Sequence, residues 1–220
     1  MAFVFIRPES REWLESARTE GAAPAFAGRA ATALRADYER WARWALGVGA
    51  YLLAVVGALL TGGAVHAVQT SGAVVLLDVL LGGLGVILGA LGAFLLIRLW
   101  VTGRRLTTAA SWWMRLPYVT GVRQRRARGW LDARTVNFEP RIFVRLMTCS
   151  VTFILGVSGW AVFGRDVANG LSGLSLTFLL VGVLSVSCLL GQAGGVMRVV
   201  SGLAEGDPLW VRLRGLMSRS

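Results

Sequence analysis

Four long apolar stretches dominate the pattern of hydrophobic and polar positions, at 44–64, 72–97, 142–163 and 171–196. Each approaches or exceeds the roughly 20 residues that a helix needs to cross hydrocarbon at about 1.5 Å per residue. The first two are joined by VHAVQTS and the last two by GRDVANG, which leave room for a turn only. The pattern predicts an all-α integral membrane protein, with four transmembrane helices in two antiparallel hairpins (44–97 and 142–196) plus cytoplasmic amphipathic or interfacial helices.

Three segments remain: an N-terminal region 1–43, a basic, aromatic-rich loop 98–141 and a tail 197–220. In the first, Phe26, Ala30, Leu34, Tyr38, Trp41 and Ala45 recur at steps of three and four, which predicts an amphipathic helix lying on the inner leaflet and turning into the first span. The earlier ESREWLESARTEG reads as a separate surface helix, capped by Ser10 and ended by Gly21 and Pro24. In the loop, Trp100, Trp112, Trp113, Tyr118 and Trp130 suit a headgroup belt, and Pro117 with Gly121 is expected to break it into pieces. Asp207 before Pro208 resembles a helix start, with Trp210, Leu213 and Met217 as a short interfacial stripe.

Arginine placement sets the expected orientation. Residues 1–43 hold 7 arginines, 98–145 hold 11 and the tail 4, whereas the two hairpin turns hold only Arg165. Positive residues accumulate on the cytoplasmic side, so both termini and the loop are expected there. The opening MAFVFIRPESREW offers no signal peptide, and the first span would serve as its own insertion signal. A lysine-free chain rich in Ala, Gly, Val and Arg reads as the product of a GC-rich genome, so the expected location is a bacterial cytoplasmic membrane.

Within the spans, small residues recur on single faces. These are Gly47, Ala50, Ala54 and Gly57 in the first and Gly82, Gly85, Gly89 and Gly92 in the second. Cys149, Thr152, Gly156 and Gly159 follow in the third, and Gly182, Ser185, Cys188 and Gln192 in the fourth. Lipid gives helices little reason to associate by expelling water, so such seams mark close packing, inside the bundle or against another subunit. Asp78 extends the second seam by one step and sits about 9 Å into the predicted span by helical rise. An intramembrane carboxylate is a candidate ion or partner site, with a hydrated structural role as the alternative. Gln192 is expected to bond within the bundle.

Chemistry is otherwise sparse. Gly156-Val157-Ser158-Gly159 is similar to the GxSG string of rhomboid intramembrane proteases, whose serine needs a histidine from a later span. Here the single histidine, His66, precedes the serine, and the string recurs at Gly170-Leu171-Ser172-Gly173. One His and two dispersed Cys are too few ligands for a metal, and no nucleotide-binding string is present, so neither metal, cofactor nor catalysis is expected. Arg123, Arg125, Arg126 and Arg128 fit anionic lipid headgroups or an acidic partner; nucleic acid is not expected. The expectation is a non-enzymatic subunit of a homo-oligomer or membrane complex that presents a basic cytoplasmic platform. The alternative is a small oligomeric channel or transporter with Asp78 near its outer mouth.

Overall fold

The computed structural model describes residues 5–17, 19, 23–123, 139–207 and 211, and among these it is helical throughout, with no strand. The helices are α1 (Pro8–Ser16), α2 (Ala27–Tyr38), α3 (Trp41–Ser71), α4 (Leu76–Val119), α5 (Pro140–Asn169) and α6 (Gly173–Leu203). Short 3₁₀ turns precede α2 at Pro24–Phe26 and follow α6 at Ala204–Gly206. The helices α3 to α6 are long and apolar enough to cross a membrane, which marks a multi-pass membrane protein. Contacts divide the chain into two units: one gathers Met1–Arg43, Trp100–Arg145 and Ala193–Ser220, the other Trp44–Leu99 and Leu146–Gln192.

Several boundaries differ from the expected ones. VHAVQTS continues α3 to Ser71, and the chain turns at 72–75, where Gly72 adopts φ +67° and ends the helix in the left-handed region that glycine enters without steric cost. GRDVANG likewise belongs to α5 as far as Asn169. The largest correction concerns the expected loop from 98, because α4 runs for 44 residues, about 66 Å, through Trp100 and Pro117 to Val119. The helix ends two residues after Pro117, and Gly121 at φ +73° lets Arg123 N–H reach back to the Pro117 carbonyl at 2.9 Å.

The second unit is packed with small residues inside and large ones outside. Ala50, Ala54 and Ala58 of α3 are buried, while Leu52, Val56 and Leu59 of the same helix are exposed. A Cβ at Gly57 would strike the backbone of Gly85 and Gly89, one at Gly85 would meet Thr61, and one at Gly92 would lie 2.6 Å from the Ala50 carbonyl. On the other pair, Gly159 faces the Phe178 carbonyl and Gly182, and Gly156 faces Ser185 and Val186. Helix α3 also meets α6, where Gly62 makes room for Thr177 and Gly173. Hydrogen bonds reinforce these approaches: Tyr51 Oη with Ser185 Oγ at 2.6 Å, Trp44 Nε1 to Thr148 Oγ1 at 3.0 Å, and Gly173 N to Gln69 Oε1 at 2.7 Å.

The first unit has an ordinary core. Ala30, Leu34 and Tyr38 of α2 pack with Leu106, Ala110 and Trp113 of α4 and Val199 of α6. The middle of the expected amphipathic stripe is therefore covered by protein and not by a leaflet, while Phe26, Trp41 and Ala45 at its ends are exposed. Gly195 and Gly202 of α6 leave space for the Tyr38 ring and for Ser111 with Met114. Ser10 is buried inside α1 and does not cap it; Arg7 holds the cap position and Pro8 starts the helix. Trp113, expected in a headgroup belt, is 1 % exposed and donates its indole N–H to the Trp13 carbonyl at 3.1 Å.

Gly57→Ala should lower stability in detergent by about 1–3 kcal/mol, because the added methyl meets backbone that cannot turn aside. Gly63→Ala, with nothing within 4 Å of the new carbon, should be neutral or slightly stabilising. Thermal unfolding of the two variants side by side checks the contrast, and equal shifts would contradict it.

Candidate partner and lipid-facing site

Asp78 lies in the first turn of α4, not six residues inside a span, because that helix begins at Leu76. Its carboxylate accepts the Val75 backbone N–H at 3.4 Å, and its own N–H reaches the Val75 carbonyl at 3.0 Å. An acid at this point satisfies an orphan donor and meets the positive end of the helix. Arg123 is exposed, 5.9 Å from the Tyr118 ring centroid. Arg125, Arg126 and Arg128 lie outside the described residues, as do Trp130, Pro208, Trp210, Leu213 and Met217.

All twelve small residues singled out in the first three spans belong to the second unit. Gly57, Gly85, Gly92, Ala50 and Ala54 meet across α3 and α4, Gly82 faces Ala64, and Gly47 touches Leu99. Gly89 receives Gly57, and Gly156 and Gly159 meet α6. Ser158 points to the exposed side of α5, whereas His66 packs its backbone on Gly173. Ser172 of the repeated string bonds to Ser175 at the start of α6. Gln192 Oε1 is buried without a hydrogen-bond partner among the described residues.

At the opposite end of the polarity scale, the first unit buries acidic and basic side chains that periodicity does not reveal. Asp37 is fully buried at the end of α2; it accepts the Arg7 backbone N–H at 2.9 Å and pairs with Arg40 at 3.1 Å. The Arg7 donor is the cap position of α1, so Asp37 supplies from another helix what Ser10 was expected to supply locally. Arg35 bridges Glu39 and Glu139; burial opposes its charge, but the hydrogen bonds to both carboxylates prevail and raise its pKa. Arg43 donates to the Phe5 carbonyl at 2.8 Å and to Thr102 Oγ1 at 2.5 Å, and burial pushes its guanidinium down to about 10, so it stays cationic at neutral pH. Arg145 lies 4.6 Å from the Tyr38 ring centroid and donates to the Tyr38 carbonyl at 2.8 Å. Arg115 reaches Ser201 Oγ at 3.2 Å and Glu205 at 3.8 Å.

In the second unit, Asp166 near the end of α5 is held below the usual carboxylate range by hydrogen bonds from Arg165 and Ser175.

The same unit that contains Asp37 carries a surface groove of about 600 Å³ between α1 and α4. Arg11, Arg104 and Arg105 line it together with Leu14, Trp100 and Trp112. Nothing local in the sequence marks this groove, because Arg11 and Arg104 are 93 positions apart.

Asp37→Ala should cost about 3 kcal/mol or more, since it breaks the buried pair with Arg40 and removes the acceptor for Arg7. Hydrogen exchange should rise first in α1. Exposed Glu9→Gln is the matched control and should change stability by less than about 0.5 kcal/mol. No loss in the Asp37 variant would show that the buried acid does not hold α1. Against protein-family models, curated proteins and solved structures, the chain finds no match.

Proposed function

We infer that the chain is a non-enzymatic subunit inserted in a membrane as two antiparallel hairpins, with its termini and the segment following α4 on the cytoplasmic side. Antiparallel pairing is supported by contacts whose numbering runs in opposite directions: Gly92 meets Ala50 and Ala54, while Gly85 meets Gly57 and Thr61. Gly156 with Val186 and Gly159 with Phe178 follow the same rule on α5 and α6. Insertion is supported by the placement of large apolar side chains on the outside and by the weak reason any such surface has to face water.

The observation that carries the subunit reading is the uncovered face of α4. Only 11 % of its most apolar stretch is buried, against 22–28 % in the other three long helices. Leu80, Leu84, Ile87, Leu91 and Phe94 stand there at steps of four and three, each at least 47 % exposed. That spacing keeps one seam of large residues facing a partner helix along several turns. The chain thus forms a homo-oligomer or joins other membrane proteins through α4, and presents a basic cytoplasmic platform. Asp78, bonded to the start of its own helix, fits a capping role better than the mouth of an ion path.

A photocrosslinker placed at Leu84 or Leu91 in native membranes should capture a second copy or a defined membrane protein, whereas one at buried Ala54 should not. Capture of lipid alone from both α4 positions, with a monomer in mild detergent, would count against the reading. Reporter tags at Ala67 and Asn169 should be accessible only from outside, and a cytosolic signal from either would overturn the orientation.

A further inference from the structure

The groove between α1 and α4 brings together three cations without carboxylate partners among the described residues and an apolar wall whose Leu14 and Trp112 also pack on the core of the first unit. Trp100, Arg104 and Thr108 succeed one another at steps of four on α4, with Val101, Arg105 and Trp112 beside them. Arg11 and Leu14 complete the lining from α1. Among the described residues Glu15 is the only carboxylate in the wall, against three guanidinium groups. Arg35, Arg40, Arg115 and Arg165 all have carboxylate partners, but Arg11, Arg104 and Arg105 have none among the described residues. They are exposed and available to a ligand.

The chemistry of that lining narrows the occupant. Guanidinium groups bond phosphate oxygens in a fixed planar fork, and three converging on one groove favour a phosphate over a lone carboxylate. Indole and aliphatic side chains at the same place favour a hydrocarbon body attached to the anion. A cavity of about 600 Å³ lies in the range of small-ligand sites and suits a headgroup with its glycerol. In sequence, Trp100 comes three positions after the apolar run 72–97, where a helix leaves hydrocarbon for the headgroup layer. The geometry points to an anionic phospholipid held with its phosphate among Arg11, Arg104 and Arg105 and its glycerol and first acyl carbons against Trp100. This inference rests on the membrane reading above. It goes further in naming a ligand class and a site distinct from Arg123, Arg125, Arg126 and Arg128.

The test uses the full chain in neutral detergent, offered equal amounts of phosphatidylglycerol and phosphatidylcholine, with retained lipid read by native mass spectrometry. One phosphatidylglycerol per chain should be retained in clear preference to phosphatidylcholine. Replacing Arg104→Gln and Arg105→Gln together should weaken retention roughly thirty-fold, the equivalent of about 1 kcal/mol for each cation removed. Glu15→Gln should strengthen it by about threefold, a gain that misfolding cannot produce. Equal retention of the two lipids, or retention unchanged in the double variant with normal helicity, overturns the site. Inorganic phosphate at millimolar concentration should not displace the lipid; if it does, the occupant is a soluble phosphate and the lipid assignment fails. A chain that stays soluble without detergent defeats the membrane reading itself, a result distinguishable from loss of lipid preference in a chain that needs detergent.

Discussion

The approach of one helix backbone to another at Gly57 sets the limits for the second unit. Where the surroundings are as apolar as the side chains, bringing two leucine-rich faces together releases no water and gains little. Stability then depends on how many atoms come within dispersion range and on a few hydrogen bonds that have no competing solvent. Gly57 against Gly85 and Gly89 meets that condition because nothing but hydrogen projects between the two chains. The same rule explains why Ala50, Ala54 and Ala58 are inside and Leu52, Val56 and Leu59 outside, the reverse of a soluble core. Tyr51, Thr177 and Trp44 spend their polar atoms on partners in neighbouring helices, so the small-residue contacts also settle where each hydroxyl can reach.

The first unit obeys different physics. Leu34, Leu106, Trp113 and Val199 form a core of large side chains, and the ionised groups at its margin are placed to satisfy backbone and one another. A buried carboxylate is stabilising only when its partners are already in position. Asp37 has both kinds, a guanidinium from Arg40 just past the end of its helix and a cap donor from α1. The arginines thereby divide into two populations that a net charge of +11 conceals. Arg35, Arg40, Arg43, Arg115 and Arg145 are committed to carboxylates, carbonyls or a ring, whereas Arg11, Arg104 and Arg105 remain exposed.

How much of this was legible in the sequence depended on the range of the interaction. The four long helices followed from apolar runs, because length and hydropathy are local properties that tertiary contacts do not overturn. Helix ends were less legible: VHAVQTS looks like a turn by its polarity, yet nothing in it breaks a helix before Gly72. The break expected at Pro117 with Gly121 falls between the two, since α4 ends at Val119 and Gly121 takes the left-handed conformation that turns the chain. The stripe of α2 was visible, but its partner was not, because periodicity shows which face is apolar and is silent on whether protein or lipid covers it. Gly62, Gly173, Gly195 and Gly202 were missed since their contacts are with residues more than 80 positions away.

Long range also links the two interactions that matter most in the first unit. α1 is only nine residues long, too short to persist as an isolated helix, so its place depends on tertiary anchors. Those anchors are the Asp37 carboxylate at its cap and Trp113 against Trp13. Arg11 lies on this helix, between cap and tryptophan, and therefore contributes to the groove only while α1 is docked. Arg104 and Arg105 stand on a continuous 44-residue helix and need no such support. The groove is thus built from one fixed wall and one conditional wall, and a phosphate bridging Arg11 to Arg104 would tie the short helix to the long one. Ligand and fold are coupled through that bridge: any anion that bonds both walls must stabilise α1, and any loss at Asp37 must weaken the anion.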